Sequence, residues 1–121
     1  MVSAVVLQVL AASAQAGEAL DANEIKDLIV GSTVTAEHQK KGFQFKAYFG
    51  EDGRLIRFRD GETSESRYEI TADGMHCVES VGRGKRTCAR IEANGDGTYD
   101  RVLQNGKRPV RWQKIESGKT F

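Results

Sequence analysis

The chemistry this 121-residue chain can carry rests on two cysteines, two histidines and several groups of charged side chains. Cys77 and Cys88 each lie in a strand-like run, with a glycine-rich turn between them. A hairpin sets two such residues opposite one another, and an oxidising compartment couples them. The spacing is neither C-x-x-C nor a zinc pattern, so a structural Cys77–Cys88 disulfide is expected rather than a redox or metal pair. His38 and His76 belong to no recognisable nucleophile or metal motif; G-x-S-x-G, H-E-x-x-H and the phosphate loop are all missing. Neighbouring strand residues point to opposite faces, so a core-facing Cys77 implies a water-facing His76. The acidic residues cluster at turns, where Asp is favoured for backbone geometry. A hydrolase built on a carboxylate pair leaves no local motif, because the fold brings such pairs together. The expectation is no enzyme and no cofactor.

Three further groups deserve weighing. Glu92, Asn94, Asp96 and Asp100 supply oxygen donors at positions 1, 3, 5 and 9 of a calcium loop, with Gly97 at position 6. Position 12 is Leu103, which removes the bidentate carboxylate, so an ordinary hairpin turn is the expectation and no metal is assigned. Arg83, Lys85 and Arg86, in the turn 82–86, form a basic tip that suits an anion or an acidic partner. Arg57, Arg59 and Arg67 are read as outward charges.

These groups are positioned by a short helix and a series of strands. Residues 21–30 read as a helix: Asp21 caps it, Glu24 holds the capping-box position, and Gly31 supplies the stop. Leu20, Ile25, Leu28 and Ile29 give it an apolar stripe suited to docking on something larger. From Ser32 onward the period becomes twofold, as in half-buried antiparallel strands. Eight runs are expected, at about 32–37, 43–50, 54–60, 65–71, 74–81, 86–93, 98–104 and 109–116. Asp-Gly and Asn-Gly pairs at 52–53, 60–61, 73–74, 94–95 and 105–106 supply the positive φ that tight hairpins need. An all-β meander of eight strands behind one short N-terminal helix should close into a small barrel, because closure removes exposed edges. The inward set is Phe43, Phe45, Phe49, Phe58, Tyr68, Ile70, Val110 and Trp112. Strands seven and eight do not alternate cleanly, since Val102 and Leu103 are adjacent and Ile115 falls out of phase with Trp112. A bulge or a partly open end is expected there, with the ligand mouth beside it.

Composition narrows the class. Hydrophobic residues are 39% and charged residues 29% of the chain, proportions of a globular domain. The apolar run 2–12 is too short to span a bilayer and leads to Ala14-Gln15-Ala16, so residues 1–16 are expected to be a signal peptide and 17–121 one barrel domain. Export, to the periplasm or the medium, agrees with the disulfide. Net charge +1 disfavours nucleic acid and acidic membrane as partners. Charge is nevertheless uneven: residues 17–82 hold 8 basic and 13 acidic groups, residues 83–121 hold 10 and 4.

With these elements in place, the chain resembles small exported bacterial β-barrel proteins of the uncharacterised, lipocalin-like (calycin-like) kind. The residues that carry the resemblance are Leu20, Glu24, Ile25, Leu28, Ile29, Gly31 and Thr33, then Asp52-Gly53-x-Leu55. Tyr68-x-Ile70-x-x-Asp73-Gly74-x-x-Cys77, Arg86-x-Cys88 and Gly97-x-Tyr99 follow. The resemblance implies the fold and periplasmic export, and it carries over no active site. Two functional expectations stand together. The first is a non-enzymatic binding protein taking a small ligand or anion at one barrel end, near Trp112, Arg101, Tyr99 and Tyr68. The second is an interaction module, such as an inhibitor of a secreted enzyme, that touches its partner through Arg83, Lys85 and Arg86. A bulky interior favours a filled barrel over a wide cavity.

Overall fold

The computed structural model describes residues 17–80 and 84–121, so the expected signal segment and Arg83 lie outside the described residues. Helix α1 (Ala22–Ile29) starts where expected, at Asp21. The Asp21 carboxylate accepts the Glu24 N–H at 2.8 Å, and the Glu24 carboxylate accepts the Asp21 N–H at 2.8 Å. This reciprocal pair satisfies two of the donors that any helix start leaves without a partner. The chain turns out of α1 at Gly31, whose φ of 81° is open to a residue without Cβ.

Eight strands follow: β1 (Ser32–His38), β2 (Gln44–Phe49), β3 (Arg54–Arg59), β4 (Glu62–Ile70), β5 (His76–Glu79), β6 (Arg86–Ala93), β7 (Tyr99–Val102) and β8 (Val110–Ser117). Each pairs antiparallel with the next and β8 returns to β1, so the meander closes into a barrel as its alternation and turn spacing predict. The bulge is also present. Thr35 pairs with Lys114 while Ala36 pairs with Trp112, leaving Gln113 as the extra residue. That insertion lets Trp112 and Ile115 both pack on the core.

One end of the barrel is plugged. Leu20, Ile25 and Ile29 of the entry segment pack with Val34, Phe49, Leu55 and Ile91 inside the strands. Ile25 and Ile29 are fully buried, so the apolar stripe of α1 does dock on a larger body, the barrel mouth. The entry segment is further tied to β6, Leu20 N–H donating to Ile91 O at 2.8 Å and Ala93 N–H to Glu18 O at 3.1 Å. Among the described residues no helix is long and apolar enough to cross a membrane.

Two orientations differ from the sequence reading. In β3, Phe49 pairs with Leu55 and Ala47 with Arg57. Cross-strand partners share a face, and Phe49 and Ala47 are buried, so Leu55 and Arg57 point inward. Phe58 therefore faces out, where the ring of Phe121 stacks on it at 5.4 Å. Leu55 and Ile56 are adjacent apolar residues, and β3 alone fits either phase; the register with β2 decides. In β5 the two residues do face opposite ways, but with the faces exchanged: His76, expected toward water, is the inward one. His76 faces the interior opposite the fully buried Ala89, and Cys77 and Cys88 pair on the other face.

The disulfide joins directly opposed residues of β5 and β6, Cα atoms 4.0 Å apart. Replacing both Cys77 and Cys88 by Ser is expected to lower the unfolding free energy by about 2–3 kcal/mol. A reduced urea midpoint with an unchanged far-UV spectrum is the expected observation.

Candidate functional site

The plugged end and the middle of the barrel are filled, and the filling is partly polar. His76 is 1% exposed and Arg101, brought inward by β7, is 7% exposed. Arg101 Nε donates to His76 Nδ1 at 3.1 Å, and its terminal nitrogen donates to the carbonyls of His76 and Thr87 at 3.1 and 3.3 Å. Because Nδ1 accepts, the proton of the neutral ring sits on Nε2. Nε2 has no hydrogen-bond partner in its buried setting. It lies instead among the rings of Phe49, Trp112 and Tyr68, whose centroids are 5.1, 5.2 and 6.2 Å from that of His76. Burial, reinforced by the charges of Arg101 and Arg57, holds His76 well below its ordinary value of 6.5. Burial, with a smaller push from Arg57, lowers Arg101 to about 10, which leaves it charged at neutral pH.

Trp112, Arg101 and Tyr68 from the expected ligand set thus come together, but around His76. Tyr99, the fourth, sits opposite Trp112 in the β7–β8 register. Trp112 and Arg101 are packed interior, while Tyr68 and Tyr99 are half-buried, with Tyr68 beside a cleft shared with Lys26 and Val30. The open end of the barrel lies elsewhere.

The opening is at the far ends of the strands. A cavity of about 510 Å³ sits there, walled by Phe43, Phe45, Val110, Arg57 and Ser64, with His38 at its edge. Clefts of this size suit small organic ligands. Phe43 is held from two directions: the His38 ring stacks at 5.0 Å, and the Arg59 guanidinium lies 3.5 Å from its centroid. Two carboxylates, Asp60 and Glu62, line the rim and are exposed. Asp60 is paired with Arg59 at 3.4 Å.

Arg57 is the residue that sequence reasoning missed. It reaches into this cavity half-buried, donates to Ser66 Oγ at 3.2 Å, and forms no ion pair among the described residues. Burial lowers its pKa, a sign that its charge is poorly compensated. The available signal was Leu55: an apolar residue directly after a turn whose partner, Phe49, is certain to face inward.

The C-terminal charges behave differently. Glu92 accepts from Arg90 at 2.7 Å and from Arg108 at 2.8 Å; Asp100 accepts from Arg111 at 2.8 Å, Arg108 at 3.4 Å and Asn94 at 3.2 Å. The hydrogen bond from Arg90, and then that from Arg108, lowers Glu92 against the opposing effect of burial. For Asp100 burial acts to raise the carboxyl, and bonds from Arg111, Asn94 and Arg108 together outweigh it. Part of the basic excess in residues 83–121 is therefore a network of three arginines around two sunken carboxylates. The calcium-loop residues are absorbed in it: Glu92 and Asp100 serve guanidiniums, and Asp96 accepts from Thr98 N–H at 3.0 Å. Among the described residues no three His, Cys, Asp or Glu are placed to hold a metal ion. At the hairpin tip Lys85 and Arg86 are exposed, and Arg86 pairs with Glu69 at 2.8 Å.

No family model, curated protein or solved structure matches this chain.

The interior imidazole makes stability pH-dependent. Unfolded, His76 takes a proton near 6.5; folded, it resists doing so. The unfolded state then binds the extra proton below that pH, and stability falls with acidification by up to about 1.4 kcal/mol per pH unit. Glu92 and Asp100 add their share only further down, below their ordinary values of 4.5 and 3.8. In His76→Gln, whose amide oxygen can still accept from Arg101, urea midpoints should be flat between pH 6.5 and 5 and fall only below. A wild-type slope persisting in that variant would remove His76 as the cause.

Proposed function

We propose that this chain is a non-enzymatic, exported binding domain that takes a small organic ligand into the open end of its barrel. The observation that carries the reading is Arg57, a guanidinium held inside a roughly 510 Å³ aromatic-walled cavity with no carboxylate paired to it. Most of its five donors face no protein acceptor, and unpaired charge in a partly desolvated site is costly unless something completes it. A ligand that enters the cavity gains both apolar contact with Phe43 and Phe45 and a polar anchor at its floor, the pattern of small-molecule sites.

Two further features support the reading. His76 is enclosed by aromatic rings and occupied by Arg101, so it is in no position to act on a bound molecule. His38, at the cavity edge, is stacked on Phe43 with its Nδ1 accepting the Lys41 N–H. The oxidised Cys77–Cys88 pair fits an oxidising compartment, as does the apolar stretch ending in Ala14-Gln15-Ala16. The alternative, contact with a partner protein through residues 82–86, rests on Lys85 among the described cations there, since Arg86 is paired with Glu69.

Titration with N-phenyl-1-naphthylamine, a neutral aromatic dye that brightens when desolvated, tests the reading. One saturable site is expected in the wild type. Ser64→Trp and Val110→Trp each place an indole in the cavity and should abolish the signal while far-UV spectra and thermal midpoints are retained. Binding unchanged in both variants, or no saturable binding in the wild type, would overturn it.

A further inference from the structure

Building on the proposed ligand site, we infer that its occupant is a flat aromatic monoanion, a carboxylate or sulfonate, that enters charged end first and stops at Arg57. Three observations converge on this class.

The first is where charge is balanced and where it is not. At the rim, Arg59 is engaged by Asp60 at 3.4 Å and by the Phe43 ring at 3.5 Å, so it has little left to offer. Deeper, two guanidiniums face the interior; burial first, and then the charge of Arg57, lowers the Arg101 pKa. Arg101 uses Nε and one terminal nitrogen on His76 and the Thr87 carbonyl, three bonds in all. Arg57 makes one protein bond, to Ser66. A planar fork with open donors matches a carboxylate or sulfonate, which can accept two parallel bonds. An anion placed there also relieves the repulsion between Arg57 and Arg101.

The second is the shape of the walls. Phe43, Phe45 and His38 contribute rings, Arg57 contributes a planar guanidinium, and Val110 contributes the aliphatic surface. Flat walls favour a flat ligand, through ring–ring and cation–ring contact, over a flexible chain that would lose rotamer freedom on entry.

The third is the rim. Asp60 and Glu62 stand at the mouth, where the outer end of a ligand bound head-first would lie. Like charges repel, so a second anionic group on that outer end is disfavoured. The site selects one negative charge, on the leading end.

The test is displacement of N-phenyl-1-naphthylamine by four probes of related size: 2-naphthoate, 2-naphthalenemethanol, 2,6-naphthalenedicarboxylate and decanoate. In the wild type, 2-naphthoate should displace the dye at a concentration roughly 10-fold or more below that of the alcohol, the worth of a charge-assisted bond. The dicarboxylate and decanoate should both be weaker than 2-naphthoate. In Arg57→Met the acid and the alcohol should become equivalent, and in Glu62→Gln the gap between the mono- and dicarboxylate should narrow. Equal displacement by acid and alcohol in a wild type that still binds the dye would overturn the anion and leave the cavity reading standing. Acid preference surviving in Arg57→Met would place the anion elsewhere, and decanoate matching 2-naphthoate would overturn the aromatic class. A wild type that fails to bind the dye would remove the cavity reading and this inference with it.

Discussion

The register between β2 and β3 determines what the inside of this barrel is. Side chains alternate strictly along a strand, so a slip of one residue would put Ile56 and Phe58 inside and turn Arg57 to solvent. The turn that sets this register is clamped from β4. Tyr68 Oη donates to Gly50 O at 2.7 Å, Arg67 donates to Asp52 O at 2.9 Å, and Tyr68 N–H donates to Gly53 O at 3.0 Å. At Gly53, with φ of 87°, an added Cβ would lie 2.7 Å from the Arg67 guanidinium, so the clamp also needs a residue without a side chain there. The position of one charge in the cavity thus depends on a turn at the opposite end of the molecule.

Five arginines illustrate how environment assigns different work to one residue type. Arg90, Arg108 and Arg111 remain partly exposed and surround two sunken carboxylates, so each charge is compensated close by. Arg101 is buried against neutral acceptors, where carbonyl dipoles and an imidazole nitrogen offset part of its desolvation. Arg57 has neither arrangement in full. That graded compensation, complete outside, partial in the middle and least at the cavity, gives the open end its polarity.

Much of the architecture was legible because it depends on local signals. The Asp21–Glu24 capping box, the glycine turns and the twofold alternation each report on a few consecutive residues. The out-of-phase Ile115 marked an irregularity, bulge or open end, that the register resolves as a bulge at Gln113. The cysteine pairing followed from the same hairpin reading. The interior chemistry was not legible in this way. Whether Arg57 or Ile56 faces in, and whether His76 or Cys77 does, is settled by partners on other strands, and charge was a misleading guide in both places. Trp112, Tyr68 and Arg101, expected at a ligand site, lie around His76, and their separation from the opening depends on barrel closure and on the helix plug, neither of which leaves a trace at those positions.

The hydrogen-bond ladders around the barrel are unequal in length. The closing seam runs the whole of β1, residues 32–38, and is latched by Thr33, whose Oγ1 donates to Gly118 O at 2.6 Å. By contrast β4 meets β5 only over residues 68–70, and β7 meets β8 only over 99–101. Strands β5 to β7 are therefore bounded by the two shortest ladders, while within themselves they are cross-linked by the disulfide and by the reach of Arg101 to His76 and Thr87. A segment joined firmly inside and weakly at its borders behaves as one cooperative unit in amide exchange. At these two borders the wall has the least main-chain pairing, and side chains supply what the ladders lack, Arg86 reaching Glu69 on one side and Arg108 and Arg111 reaching Asp100 on the other.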